Sequence, residues 1–214
     1  MTEKMKTAKV SDDMAMSSVV PCFTPGTVIA TPTGERLVET LAVGDRVLTR
    51  DNGLQEIRWI GASRLNAQDL RAAPDLRPVL IRSGALEHGL PEADILVSPW
   101  HSVLIQSDTT RAFFDENEVL AAAADLTGMD GVDVVDASGV TYIHFMFDRH
   151  EVVLSNGFWS ESLRPDAAVL ASMGAAQRNQ ILRLFPELAN VEGQKAYQSA
   201  RRSLSRAESK LLIK

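Results

Sequence analysis

Only one cysteine, Cys22, occurs among the 214 residues. A single thiol cannot close a disulfide within the chain, so the fold must be held by packing and hydrogen bonds. Positive charge is also scarce relative to negative: the net charge is −6, which gives a nucleic-acid partner little electrostatic support. No stretch approaches the roughly 20 apolar residues of a membrane helix, so membrane insertion is not expected. The opening "MTEKMKTAKVSDDMAMSSVV" lacks an apolar segment and carries two aspartates, so it does not read as a secretory signal. The cytoplasm is the default compartment, with export by a non-classical route left open. Internal repeats and low-complexity segments are missing too. What remains is an ordinary globular composition, 45% hydrophobic and 23% charged, enough for one domain with a core.

Charge divides the chain into three zones. Residues 1–21 hold three basic and three acidic side chains and read as a flexible leader. Residues 22–162 hold 10 basic and 21 acidic ones, and residues 163–214 hold 9 and 4. A basic tail on an acidic body is expected to pack against that body. The middle reads as strands. "TVIAT" and "RVLTR" are rich in β-branched and aliphatic residues between turn signals. "RVLTRDNGLQEIRWIG" reads as a hairpin about Asp51-Asn52-Gly53. "PVLIRSGAL", "DILVSPWHSVLIQ", "GVTYIHFMF" and "HEVVLSNGFW" continue the pattern, with one helical patch at "ENEVLAAAADLTG". After Pro165 the spacing turns helical in "DAAVLASMGAAQRNQILRLF", closed by Pro186, and in "GQKAYQSARRSLSRAESKLLI".

A thiol needs a base or proton shuttle to act as a nucleophile near neutral pH, and histidine is the usual one. Four histidines are present. His88 lies in a loop-like "GALEHGLPEAD" and reads as solvated. His144 lies inside the strand "YIHFMF", with its face undetermined. His101 follows a kink at Ser98-Pro99, where a hydroxyl, a backbone N–H and an imidazole can converge. His150 opens the strand "HEVVLSNG". A lone cysteine is also a common buried small hydrophobe, so the residues alone leave Cys22–His101 either catalytic or structural.

"CFTPGTVIATPTGERLVETLAVGDRVLT" resembles the first motif of Hint domains, the module shared by Hedgehog autoprocessing domains and inteins. Cys22, Gly26-Thr27 and Val43-Gly44-Asp45 with Val47 carry the likeness. "LVSPWHSVLI" resembles the second motif, with Ser98 in place of the usual threonine and His101 at the histidine. "VTYIHFMFDRHEVVLSNG" resembles the later one through Tyr142, His150 and Asn156-Gly157. Three motifs in order are more specific than any one. The start "PCFTPGT" and the finish "NGFWSES" are similar to those of bacterial Hedgehog/intein-like domains.

The resemblance implies an all-β, horseshoe-like Hint domain over residues 22–165, a leader over 1–21 and a helical C-terminal extension over 166–214. It implies Cys22, His101, Ser98 and His150 as catalytic residues and Pro21–Cys22 as the scissile bond. In that chemistry the Cys22 thiol attacks the Pro21 carbonyl, an N–S acyl shift that yields a thioester. His101 protonates the departing nitrogen, and Ser98 hydrogen-bonds the developing oxyanion. The substrate is the chain's own N-terminal segment, the second nucleophile is water or a small thiol, and no metal or cofactor is required. Where inteins end in His-Asn, this chain reads Phe158-Trp159-Ser160-Glu161-Ser162, so cleavage without splicing is implied. Ile143 stands where many inteins carry aspartate. Two other functions compete: a catalytically degenerate Hint fold that only binds, and a cysteine hydrolase acting in trans through Cys22 and His101. Glu161 reads as a solvated carboxylate, Trp59, Trp100 and Trp159 as packing, and Asn156-Gly157 as a turn.

Overall fold

The computed structural model describes residues 20–213, so the expected leader lies outside it except for Val20 and Pro21. The body is all-β. A nine-stranded sheet runs from Arg202–Ser203 through Val119–Ala122, Ser102–Ile105, Phe158–Glu161, Val152–Ser155 and Val28–Thr31 to Gly34–Leu37. Arg46–Thr49 and Gly53–Glu56 branch from Val152–Ser155. The hairpin expected about Asp51-Asn52-Gly53 forms, with Thr49 opposite Gly53. Of its turn residues only Gly53 takes a positive φ, 64°, and the Thr49 hydroxyl caps the turn by accepting from the Asn52 amide at 3.2 Å. Asn156-Gly157 is the two-residue turn between Val152–Ser155 and Phe158–Glu161, with φ of 44° and 77°. Asn and Gly tolerate that left-handed pair. The Asn156 side chain also ties the turn to its neighbours, accepting from Val28 and donating to Asp94.

Two smaller ribbons complete the body. One holds Val132–Val134, Val79–Ile81 and Ile95–Val97; the other pairs Gly139–Met146 with Trp59–Asn66. Phe23 joins them, bridging to Val97 on one side and Ile143 on the other. Alternation along Gly139–Met146 then divides its side chains. Ile143 and Phe145 enter the main core with Phe23, whereas Tyr142 and Met146 enter a second core with Val20, Cys22 and Trp59. That second core is closed by Val169, Leu170, Ile181, Phe185 and Tyr197 of the C-terminal segment. Among the described residues no helix is long and apolar enough to cross a membrane.

Three local expectations change. The alanine-rich patch forms the strand Val119–Ala122 and a 3-10 turn Ala123–Leu126 in place of a helix. Val119, Leu120 and Ala121 are all buried between two neighbouring strands, and that packing outweighs alanine's helix preference. The C-terminal segment is helical only in pieces: Ala167–Ser172, Ala175–Leu184, Val191–Ala196 and Arg206–Ser209. Between the last two, Arg202–Ser203 pairs in parallel with Val119 and Leu120. Arg201 anchors this strand, gripping Asp51 at 2.7 and 3.0 Å and Glu118 at 2.7 Å. Two short helices, Ala67–Ala72 and Asp108–Phe114, were not foreseen; each starts at a capping box, from Asn66 to Asp69 and from Ser107 to Thr110. Pro186 acts as expected: the helix stops at Leu184 and Pro186 opens a 3-10 turn.

Gly61 lies opposite His144 in the long ribbon. A Cβ there would sit 2.5 Å from the Trp59 ring and 3.1 Å from His144 Nε2. Gly61→Ala is therefore expected to destabilise the protein by about 1–3 kcal/mol through overpacking, read as a lower urea midpoint with unchanged slope.

Candidate active site at Cys22

Cys22 is fully buried. Its position follows from Phe23, whose N–H and carbonyl both bond to Ile143 at 2.8 Å. Cys22 therefore faces the opposite side of that pairing, toward the second core. The Cys22 carbonyl accepts from the Ser98 amide at 3.0 Å. The Cys22 amide donates to the Ser98 hydroxyl at 2.9 Å, and that hydroxyl donates to the Val20 carbonyl, also at 2.9 Å. Ser98 thus clamps the backbone on both sides of the Pro21–Cys22 bond; its hydroxyl is on the carbonyl of Val20, not that of Pro21. The Cys22 thiol turns back along the chain, 3.3 Å from the Val20 carbonyl and 3.2 Å from His144 Nδ1.

His101 ends a tight turn, its amide donating to the Ser98 carbonyl at 3.1 Å with Pro99 inside. The imidazole is buried and meets the Phe23 ring edge-on at 4.4 Å. Among the described residues neither of its ring nitrogens has a hydrogen-bond partner. Buried polar groups are nearly always paired, so the unpaired His101 ring stands out. Burial lowers its pKa to about 4, opposed by the negative charge of Glu161.

His150 belongs to a different cluster. Its Nδ1 accepts from the Ala200 amide at 3.0 Å, so the ring proton is on Nε2, directed at the Ser162 carbonyl at 3.2 Å and Glu161 Oε2 at 3.4 Å. Glu161 also accepts from the Ser102 amide at 2.7 Å. Burial pushes its carboxyl up, but the hydrogen bonds from His150 and the Ser102 amide, with the nearby His101 ring, outweigh this and hold it below its ordinary value. The expectation of a solvated Glu161 is corrected: the side chain sits inside, at the junction of Ser102–Ile105 and Phe158–Glu161. His88 is exposed, as expected.

Sequence reasoning left His144 undecided and passed over Gln177. His144 stacks on Trp59 at 5.3 Å, and its Nε2 is 3.0 Å from Gln177 Oε1. No residue of "TYIHFMF" marks an outer face, because Tyr142 through Met146 are all buried. Beside Pro21 opens a cleft of about 620 Å³. Pro21, Trp100, Ser102, Glu161 and Arg164 line it, so the acyl side of the Pro21–Cys22 bond has a route outward while the thiol does not.

The profile of the Hint domain family matches residues 21–167. The chain belongs to the Hint domain family. Comparison with curated proteins finds no match. Among solved structures, the crystal structure of the gp41-1 intein is 16% identical, covering 65% of this chain and 97% of its own, with a TM-score of 0.41. The solution structure of a bacterial intein-like domain from Clostridium thermocellum is 15% identical over 68% and 99%, with a TM-score of 0.44. The crystal structure of the MchDnaB-1 intein is 12% identical over 65% and 98%, with a TM-score of 0.43. The Hint fold is that of autoprocessing domains, and in this Hint domain the motif residues Cys22 and Ser98 are in direct contact. His101 lies against Phe23, and His150 lies against Glu161.

Burial sets the electrical state of this centre. It pushes the Cys22 thiol far above its ordinary value, against a lowering by the Ser98 hydrogen bond, with the Glu161 charge adding to the rise. It brings His144, like His101, down to about 4 from 6.5. Between those values the unfolded chain binds protons that the folded chain refuses. Stability is thus present above pH 6.5 and is lost as pH falls toward 4. Urea midpoints measured across that window should drop, and should drop less in His101→Gln and His144→Gln, each of which lacks one refusing imidazole.

Proposed function

We propose that this Hint domain cleaves itself at the Pro21–Cys22 bond through a thioester, without splicing. The observation that carries the reading is the Ser98 clamp: it curls the chain before Cys22 so that the thiol lies against its own upstream backbone. An attacking group held beside its target gains most of its rate from position alone. The Cys22 sulfur bonds to the Pro21 carbonyl carbon, the carbon–nitrogen bond breaks, and the peptide becomes a thioester plus a free amine.

The amine is a poor leaving group until it is protonated. His101 supplies that proton; its buried ring nitrogens, unpaired among the described residues, support this role. Ser98 already holds the Cys22 N–H and steadies the nitrogen as it becomes an amine. Water or a small thiol then enters by the cleft at Pro21 and releases the upstream segment. Glu161 lines that cleft with His150 behind it, a carboxylate–imidazole pair suited to accept a proton from the incoming nucleophile. The sequence at Phe158–Ser162 has no terminal His-Asn, which supports cleavage without splicing. The full burial of Cys22 counts against a hydrolase acting on separate esters, since no external substrate reaches the thiol.

The test is the intact mass of freshly purified protein over time, with and without dithiothreitol, beside Cys22→Ala and His101→Ala. A fragment beginning at Cys22 is expected from the wild type, faster with thiol. Cys22→Ala should stay whole, and His101→Ala should slow by about 10²–10⁴-fold, the usual value of a general acid. Wild type that stays at full length under every condition would make this a binding module with an inert centre.

A further inference from the structure

His144 is not among the residues that carry the family likeness and Gln177 lies beyond the quoted motifs, yet they complete the surroundings of the thiol. We propose that His144 is the base that takes the Cys22 proton, and that Gln177, from the C-terminal segment, is a positioning residue that holds its ring in the tautomer able to do so. This rests on the self-cleavage reading and adds to it the group that activates the nucleophile.

The tautomer follows from donors and acceptors. Gln177 Nε2 reaches the Ala62 carbonyl at 3.0 Å and the Ser63 hydroxyl at 3.3 Å. A carbonyl only accepts, so this end of the amide is the NH₂ and the other is the oxygen. That oxygen, Oε1, is the atom 3.0 Å from His144 Nε2. An amide oxygen cannot donate, so the ring hydrogen sits on Nε2. In the neutral ring Nδ1 then carries a free lone pair, and it is the atom 3.2 Å from the Cys22 sulfur. The stack on Trp59, 5.3 Å between centroids and 21° between planes, keeps the ring from turning, and Gly61 leaves the space for that stack.

The resting pair is neutral. Burial keeps His144 unprotonated and Cys22 a thiol at pH 7. The proton therefore moves as sulfur bonds to the Pro21 carbon, when negative charge passes to the carbonyl oxygen and does not stay on sulfur. Sulfur loses its proton to His144 Nδ1. That proton equivalent is relayed to His101, and the His101 ring passes one proton to the Cys22 nitrogen as the carbon–nitrogen bond breaks, so both rings end neutral. The imidazolium formed in between is held by Gln177 Oε1, the one hydrogen bond that favours its charged form.

Two measurements on the full chain test this. Nitrogen-15 histidine spectra at pH 7 read the tautomer directly: His144 is expected as Nε2–H with an unprotonated Nδ1, and mixed tautomers are expected in Gln177→Met, which keeps the volume. Thiol-induced cleavage should slow by about 10²–10⁴-fold in His144→Gln and by at least tenfold in Gln177→Met, with Cys22 and His101 intact. An Nδ1–H ring in the wild type overturns the proposal without any variant, even if a variant unfolds. So does His144→Gln cleaving within a few-fold of the wild type. A wild type that never cleaves overturns the self-cleavage reading and takes this proposal with it, a result distinct from the other two.

Discussion

Phe23 is bonded to Ile143 through both its N–H and its carbonyl, and its neighbour Cys22 is bonded to Ser98 through N–H and carbonyl alike. Each such hydrogen bond contributes only about 1 kcal/mol. Together they fix the backbone at the entrance of the domain from both flanks. The period of two then decides the rest: with Phe23 locked into the main core, Cys22 faces the second one. The turn at Ser98–His101 is placed by the same seam, because Val97, which ends the strand before it, bridges to Phe23. A loose N-terminal segment would leave the thiol without an address.

The centre built on this seam is buried. Its one carboxylate, Glu161, is held by His150 and the Ser102 amide. Its two imidazoles are kept neutral by burial. Two of the three buried histidines have their tautomers fixed from the C-terminal segment, His144 by the Gln177 side chain and His150 by the Ala200 amide. That segment is thus a wall of the site, and the grip of Arg201 on Asp51 and Glu118 keeps it there. Among the described residues the His101 ring, packed on Phe23, keeps both of its nitrogens without a hydrogen-bond partner.

Features written in local chemistry were legible before the fold was known. Gly53 and Asn156-Gly157 announce their turns because few residues accept a positive φ. Cys22, Ser98 and His101 stand in motifs whose order identifies the domain. Features set by distant packing were not legible. Val119–Ala122 has the composition of a helix and becomes a strand because strands cover it on both sides. Glu161 resembles any surface carboxylate until Ser102 and His150 close over it. His144 sits in a strand buried on both faces, where hydrophobic alternation carries no information about direction. Gln177 lies in a helix whose polar residues look alike, and only the fold singles out the one that turns inward.

The separation of the thiol from its surroundings also sets a clock. A chain is made from its N-terminus, so Cys22 emerges before the residues that surround it. The ring that meets its sulfur is made 122 positions later, and the amide that orients that ring 33 positions after that. The strand Arg202–Ser203, which finishes the sheet, comes later still. Until the segment that carries Gln177 and Arg202–Ser203 has left the ribosome, Cys22 lacks the surroundings it meets in the folded domain.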